Sequence, residues 1–270
     1  MHQRVSTRRA LALVVLAALA WGTGGPTGAL LQDAGLTPLS TSFWRLAAAA
    51  AWLALVRLAR RTRTPIRPRP RDVFTGVGLA ICQLGYFTAI PLVGVGIATV
   101  ISLGTAPLII TLATRERPTS ATAAALVGLT LLTATTGSTN LVGIAAAVAS
   151  AAGYSLTTLL NRNTQDPQTT ALLGFVAGAL FLAPFATLPT TTTGWLLVAY
   201  FGLVPTALAY TLFYEGLRTL KPSTAAVIAL LEPVIATAIG ILFFKEHLTA
   251  VAICGAVILL AAVAAQSRHT

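Results

Sequence analysis

The sequence has little charge, few acidic residues and almost none of the side chains that bind metals. Charged residues make up 9% of the 270 positions, whereas hydrophobic residues make up 56%. The mean hydropathy is +0.81, and soluble globular proteins have about 25% charged residues. The composition therefore excludes an ordinary soluble domain and predicts an all-α integral membrane protein.

The cysteines and histidines of the chain offer no metal, disulfide or catalytic arrangement. Cys82 and Cys254 lie in apolar segments without CxxC spacing, so we expect neither a disulfide nor a metal site. His2, His247 and His269 lie in tails or in a loop, far from the depth at which a membrane-embedded enzyme needs them. The GxxxxGK phosphate loop is also missing. We therefore expect no enzyme, no cofactor and no ATP site.

Apolar stretches of about twenty residues, each long enough to cross roughly 30 Å of hydrocarbon as a helix, fill most of the chain. Prolines, glycines and charged residues separate ten of these stretches. Together the ten stretches leave no room for a soluble domain. The predicted spans are residues 10–31, 38–56, 72–91, 96–114, 119–136, 141–160, 168–187, 195–214, 222–244 and 248–265. We expect one compact membrane unit whose partner is the lipid bilayer.

The basic residues predict the orientation of these spans. All lysines and arginines except Lys245 and Arg45 fall in the tails or in the even-numbered loops. Because positive charge collects on the cytoplasmic side, both termini are expected in the cytoplasm and the chain in the plasma membrane. The basic segment 57–71 also resembles a nucleic-acid patch. Its place between two spans explains it better as a cytoplasmic loop that meets anionic lipid headgroups, and we expect no nucleic-acid partner.

The first span has two features with more than one explanation. A basic tail followed by the apolar run 10–31 fits a first membrane span and also a secretory signal peptide. The glycines at positions 22, 24, 25 and 28, together with Pro26, weaken the helix near its middle. They suit close helix packing and equally a broken helix beside a substrate.

One glutamate, Glu232, lies in the middle of the ninth predicted span, directly before Pro233. A carboxylate at that depth is costly, so it is expected to face a cavity, a partner charge or a transported species. Pro233 and Pro107 each leave a carbonyl without its helical donor and are expected to break their helices. Glu232 either forms a structural ion pair with Arg45 of the second span or binds a coupling proton or another cation.

The two halves of the sequence resemble each other at an offset of 127 residues. Residues 100–101 fall on residues 227–228, Gly128 falls on Gly255, and the two central prolines are one position out of register. With five spans in each half, the second half must enter the membrane from the opposite side. We predict ten transmembrane helices in two inverted five-helix repeats, residues 10–136 and 141–265, around a central cavity.

Residues 213–263 contain small residues before Glu232, then Gly240, Glu246 and Gly255. This stretch resembles the EamA-like branch of the drug/metabolite transporter superfamily. Weaker similarity appears in the first half in AWGTG, SFWRLAAAA and YFTAIPLVGVGIATVISLGTAPLII. The halves differ at one point, because Thr119 falls opposite Glu246 and Glu116 lies three residues earlier. Glu246 is expected to cap a helix or to act in a gate.

The resemblance implies a ten-helix carrier whose cavity is lined by helices 1, 3, 4, 6, 8 and 9. It also implies a small metabolite as substrate, such as an amino acid, an amine or a drug, commonly moved outward. The polar, aromatic and proline residues expected at mid-membrane are Trp21, Thr23, Gln83, Tyr86, Thr105, Pro107, Tyr154, Ser155, Thr206, Tyr210 and Glu232. For each of them alone, a helix-to-helix contact is a sufficient explanation.

Three alternatives to an exporter remain at this point: an importer, a channel and a structural membrane protein. A channel fits less well, because a pore needs repeated polar rings, whereas the spans of this chain hold one central carboxylate.

Overall fold

The computed structural model describes residues 6–62, 66–133, 140–244 and 249–268. Every regular element in these residues is helical. The helices are α1 (Thr7–Gly22), α2 (Gly24–Asp33), α3 (Pro38–Ala59), α4 (Pro70–Val93), α5 (Val95–Thr114), α6 (Ser120–Leu132), α7 (Leu141–Asn161), α8 (Pro167–Leu182), α9 (Thr192–Gly202), α10 (Ala209–Gly216), α11 (Pro222–Ala229), α12 (Leu231–Phe244) and α13 (Ala250–Arg268). A short 3₁₀ turn, Ala183–Phe185, follows α8, and a π-helical turn, Leu203–Leu208, joins α9 to α10.

The described helices fall where the hydropathy pattern predicts membrane spans. Nine helical stretches in the described residues are long and apolar enough to cross a bilayer, and α6 forms a shorter tenth. Residues 134–136 of the predicted fifth span lie outside the described part of the chain. The all-helical prediction is therefore confirmed, with most span limits shifted by a few residues.

Local sequence explains where the helices begin. Polar side chains accept a hydrogen bond from a backbone N–H of the first turn, which satisfies a group that the helix itself leaves unpaired. These N-caps are Ser6, Thr37, Thr119, Asn140, Asp166 and Thr191. Helices α3, α4, α8 and α11 begin with proline, whose missing N–H costs nothing at that position.

Apolar side chains cover much of the outer surface of the bundle. Leu112, Leu242 and Phe243 are each more than 70% exposed. Soluble monomers rarely expose contiguous apolar surface on this scale. The outer surface is therefore suited to contact with acyl chains.

Glycines permit helices α4 and α7 to approach each other closely. A Cβ atom added to Gly153 of α7 would lie 2.7 Å from the backbone nitrogen of Cys82 in α4. One added to Gly85 of α4 would lie 2.8 Å from the nitrogen of Ser150 in α7. Only glycine permits such a backbone contact between membrane helices.

The helix pairing repeats between the two halves of the chain. The contact of α4 with α7 is matched by that of α1 with α10, and the contact of α4 with α8 is matched by that of α3 with α9. Helices α6 and α13 meet at Gly128 and Gly255, where an added Cβ on either glycine would lie within 2.8 Å of the carbonyl oxygen of the other. Two related residues that touch lie on a pseudo-two-fold axis, as inverted repeats require. The exact repeat boundaries stay a prediction.

Three spans in the described residues are interrupted. The first span breaks at Thr23, between α1 and α2, beside its cluster of glycines. The ninth breaks at Leu230, because Pro233 has no N–H to donate to the carbonyl of Ala229. The eighth widens into a π-helical turn around Pro205, which the sequence pattern did not predict.

Pro107 does not break its helix, so this part of the prediction was wrong. Helix α5 runs without interruption from Val95 to Thr114. Its flanking turns are tied to α7, since Ser102 donates a hydrogen bond to the Ala147 carbonyl and Ser155 donates one to the Ala106 carbonyl. Helix α5 thus continues through Pro107 although one helical hydrogen bond is lost.

The first span is an integral part of the core. Val14 and Ala17 of α1 are fully buried, and α1 packs against α10 and α12. This packing favours a membrane span over a signal peptide for this stretch.

Candidate functional site

An aromatic cluster gathers side chains from four spans at the centre of the bundle. Trp21, near the end of α1, has its ring centroid 5.0 Å from those of Tyr210 and Phe213 and 6.4 Å from that of Tyr154. Phe175 of α8 lies 5.4 Å from Tyr210. Aromatic rings prefer such edge-on and tilted arrangements, so these pairs fix the relative orientation of the rings in the cluster. The structure thus brings together three predicted residues, Trp21, Tyr154 and Tyr210.

Two tyrosine hydroxyls in and beside this cluster are buried without a hydrogen-bond partner among the described residues; one belongs to Tyr214, whose ring centroid lies 5.8 Å from that of Tyr210. Tyr214 is completely buried, and its hydroxyl meets no hydrogen-bond partner among the described residues. The same holds for the buried hydroxyl of Tyr154. A buried donor without a partner is costly, so a polar group bound next to it gains a hydrogen bond.

Glu232 lies where two interrupted helices meet. It belongs to the first turn of α12, directly after the break in the ninth span. A Cβ added to Gly22, the last residue of α1, would lie 2.5 Å from Ile235 and 3.1 Å from the carbonyl oxygen of Glu232. The small residue at the end of α1 therefore permits the beginning of α12 to come close.

The carboxylate of Glu232 is partly buried and makes no hydrogen bond or ion pair with the described residues. Its backbone lies next to the aromatic cluster, because a Cβ added to Gly22, the residue directly after Trp21, would lie 3.1 Å from the Glu232 carbonyl oxygen. The first turn of a helix also has free N–H groups that favour a negative charge. Glu232 is thus available to bind a cation or a proton.

Arg45 points to the π-helical turn of the eighth span instead of forming an ion pair with Glu232. Its Nε lies 3.4 Å from Thr206 Oγ1, and its Nη2 lies 3.5 Å from the Pro205 carbonyl oxygen. The guanidinium carbon sits 4.8 Å from the centroid of the Phe201 ring. Arg45 and Glu232 form no salt bridge with each other. The proposed structural ion pair is therefore not formed in this structure.

Several other predicted cavity residues serve helix contacts. Thr23 donates to the Ala20 carbonyl, Thr206 donates to the Phe201 carbonyl, and Ser155 donates to Ala151 as well as to Ala106. For these three hydroxyls the simpler explanation, a backbone contact, accounts for the geometry.

The remaining predicted residues lie around the third and fourth spans. Gln83 is buried and accepts a hydrogen bond of 3.5 Å from Ser42. The Tyr86 hydroxyl lies 2.9 Å from that of Thr99. Thr105 is partly exposed on α5 and makes no hydrogen bond with the described residues. The ring of Tyr86 pairs with that of Phe87, which is outside the aromatic cluster.

The sequence reasoning missed Phe213, Tyr214 and Phe175. Positions 210, 213 and 214 have helical spacing, so their aromatic side chains share one face of α10. That spacing could have identified Phe213 and Tyr214 as neighbours of Tyr210. Phe175 had no such signal, since apolar residues surround it in the sequence.

A polar network joins the two halves at the end of the bundle where the termini lie. Ser223, at the start of α11, donates a hydrogen bond to a carboxylate oxygen of Glu116. Thr119 donates to Gln266 over 2.7 Å, and Gln266 donates to Thr224 over 3.2 Å. These residues line a cavity of about 490 Å³. Glu246, which was predicted to cap a helix or to act in a gate, lies outside the described residues.

The opposite end of the bundle has a second set of contacts between the halves. The carbonyl oxygen of Thr187 accepts hydrogen bonds from Ser40 over 2.9 Å and from Trp44 over 2.7 Å. The described residues contain no group of three or more side chains that could hold a metal ion.

The chain is similar to several known transporters. A profile of the EamA-like transporter family matches residues 137–267. "Uncharacterized transporter YwfM" of Bacillus subtilis (strain 168) is 32% identical over 257 residues, which cover 87% of this chain and 86% of the relative. An "Uncharacterized transporter" of Archaeoglobus fulgidus is 29% identical over 124 residues, which cover 45% of this chain and 46% of the relative.

The fold is also found among solved structures. One crystal structure superposes with a TM-score of 0.81 at 21% sequence identity, covering 97% of this chain and 98% of the other. At that identity the likeness concerns the fold alone.

Proposed function

Because the chain belongs to the EamA-like transporter family, we propose that it is a secondary carrier that exports a small organic solute across the plasma membrane. Its apolar helices and its relatives make it a multi-pass membrane protein. The proposed substrate is an amino acid, an amine or a drug-like compound with a positively charged nitrogen. The observation that supports this most directly is the position of Glu232, which is unpaired among the described residues and lies next to the end of α1, where Trp21 joins the aromatic cluster.

The surroundings of Glu232 suit an organic cation. The carboxylate neutralises a positive nitrogen, and aromatic faces attract cations and stack on flat apolar groups. Trp21, Tyr210 and Phe213 supply those faces. Arg45 is held away by Phe201 and the π-helical turn, so it does not occupy the carboxylate.

The same carboxylate offers a simple way to couple transport to protons. A single Glu232 binds either a proton or the substrate nitrogen, so the two compete for one site. Export then follows when substrate leaves outward and a proton takes its place on the way back. This mechanism uses the proton-binding alternative that the sequence left open for Glu232.

Alternating access requires contacts between the halves that open and close in turn. We assign this role at the cytoplasmic end to the Glu116–Ser223 hydrogen bond, together with the chain Thr119–Gln266–Thr224. In this assignment both termini lie in the cytoplasm. The inner half of the ninth span, α11, is buried at all eight of its positions, which supports closure at that end.

Counterflow in proteoliposomes tests the carrier. Purified protein is reconstituted with a trans pool of one amine, and saturable uptake of the radiolabelled amine is measured. Glu232→Gln is expected to abolish the pH dependence of uptake. Glu215→Gln is the control, because Glu215 is engaged with Arg218 at 2.9 Å near the end of α10. A pH response that persists in Glu232→Gln contradicts the proposed coupling, and an ohmic single-channel current contradicts the carrier.

Cysteine labelling tests the orientation. Arg60→Cys, exposed at the end of α3, is expected to react only with reagents that reach the cytoplasmic face. Labelling of that position from outside the cell would reverse the topology and the proposed direction.

A further inference from the structure

A second polar cavity lies away from the aromatic cluster, between the beginnings of α4 and α8. Its volume is about 340 Å³, within the usual range for ligand sites. Three arginines line it, Arg67, Arg69 and Arg71, together with Asp72 and Asp166. The proposed transport cycle uses none of these residues.

Arg71 is positioned in the wall of this cavity by the opposite half of the chain. Its Nη2 donates to Thr164 over 3.1 Å and to Thr170 over 3.4 Å. Its Nε is buried, forms no hydrogen bond with the described residues and lies 3.7 Å from Asp72 Oδ1. Thr164 and Thr170 therefore orient the guanidinium, and its Nη1, for which no hydrogen bond with the described residues is found, is the group suited to a further acceptor.

The two acidic residues of the cavity already accept hydrogen bonds from backbone N–H groups. Asp72 Oδ2 accepts a hydrogen bond of 2.8 Å from the Arg69 nitrogen, and Asp166 Oδ1 accepts one of 3.0 Å from the Thr169 nitrogen. Both carboxylates thus cap helix beginnings. They offset part of the arginine charge, but they leave the arginines in excess.

Two further features add positive potential to the cavity. Helices α4 and α8 both begin at its edge, and each contributes the positive end of its dipole. Arg57, at the end of α3, donates to Thr169 over 3.2 Å and brings a fourth guanidinium close. A guanidinium group binds phosphate through two parallel N–H···O hydrogen bonds, which gives the contact a defined geometry.

We infer that this cavity binds the phosphate group of an anionic phospholipid headgroup. Spans three and seven leave the bilayer at this point, so the cavity opens at the depth of the lipid phosphates. Basic pockets between helices on the cytoplasmic side suit such headgroups. A soluble phosphate monoester offers the same chemistry without the acyl chains.

Native mass spectrometry of the full chain tests the inference. Protein released from detergent is titrated with phosphatidylglycerol and, separately, with phosphatidylcholine. Arg67→Gln combined with Arg69→Gln is expected to weaken phosphatidylglycerol binding roughly tenfold, because each interfacial arginine contributes to anionic lipid binding. Both side chains are exposed, so the fold is retained. The matched control is Arg60→Gln with Arg61→Gln, which removes the same charge at the exposed end of α3.

The outcomes separate the sources of the phosphate. A headgroup site is supported if the control variant still prefers phosphatidylglycerol and the Arg67/Arg69 variant loses this preference. Competition by glycerol 3-phosphate in the wild type, lost in the same variant, supports the site with a soluble ligand. Equal loss in both double variants, or equal binding of the two lipids by the wild type, overturns the inference.

Discussion

The two halves of the molecule place a proline at matching positions, yet the helices around them differ. Helix α5 continues through Pro107, whereas the ninth span breaks at Leu230, just before Pro233. Proline removes the same helical hydrogen bond in both places. The difference must therefore come from the surroundings of each proline.

Those surroundings differ in charge and in packing. Ala106, before Pro107, is fully buried, and its carbonyl accepts a hydrogen bond from Ser155 of α7. Glu232, before Pro233, is a carboxylate without a described partner, and the break gives it the free N–H groups at the beginning of α12. At these two prolines, the helix thus breaks only where a charge gains from the opened turn.

The largest effect is expected from removing that charge. Glu232→Gln is nearly isosteric but leaves no anion for a substrate nitrogen. We expect affinity for a transported amine to fall roughly 10- to 100-fold, as for the loss of a charged hydrogen bond. Equilibrium binding to detergent-solubilised protein measures this. Glu215→Gln is expected to bind like the wild type, and unchanged affinity in Glu232→Gln would move the site elsewhere.

The next effect concerns the close approach of the two broken spans. Gly22→Ala places a Cβ 2.5 Å from Ile235, so we expect α1 and α12 to separate with a loss of about 1–3 kcal/mol in stability. Thermal unfolding in detergent reports this loss. Gly25→Ala is the control, because a Cβ at that position meets nothing within 4 Å. Equal unfolding temperatures for both variants would contradict the importance of this contact.

Exchanging the prolines tests the comparison directly. Pro233→Ala permits a continuous ninth helix, and we expect counterflow to fall severalfold as the first turn of α12 closes. Pro107→Ala restores one hydrogen bond in a helix that is already continuous, so transport is expected to persist. If the two alanine variants transport equally well, the break in the ninth span has no function.

The smallest effect is expected at the contacts between the halves. Glu116→Gln replaces a charged acceptor of the Ser223 hydrogen bond with a neutral one, a loss of about 1 kcal/mol. A cysteine introduced at Thr122, in the cavity wall, should then react severalfold faster with a thiol reagent. Asp33→Asn, at the end of α2, is the control and should leave that rate unchanged. A slower reaction in Glu116→Gln would argue against a gate.

Much of this architecture was accessible from the sequence. Apolar length and punctuation predicted the spans to within a few residues, and the 127-residue offset paired Gly128 with Gly255 before their contact was visible. Depth along the spans also selected Trp21, Tyr154 and Tyr210, which meet in the structure. The same criterion of depth also pointed to Thr23 and Ser155, but the hydroxyls of these residues donate hydrogen bonds to backbone carbonyls.

The sequence by itself determined the number and the approximate limits of the spans, because burial in lipid imposes a length and an apolar surface on each span separately. Tertiary structure alone decided which proline breaks its helix, where Arg45 points and which aromatic rings meet. Those outcomes depend on neighbours from distant spans, such as the hydroxyl of Ser155 on the carbonyl of Ala106. Contacts of that kind have no periodicity along the chain for a sequence pattern to detect.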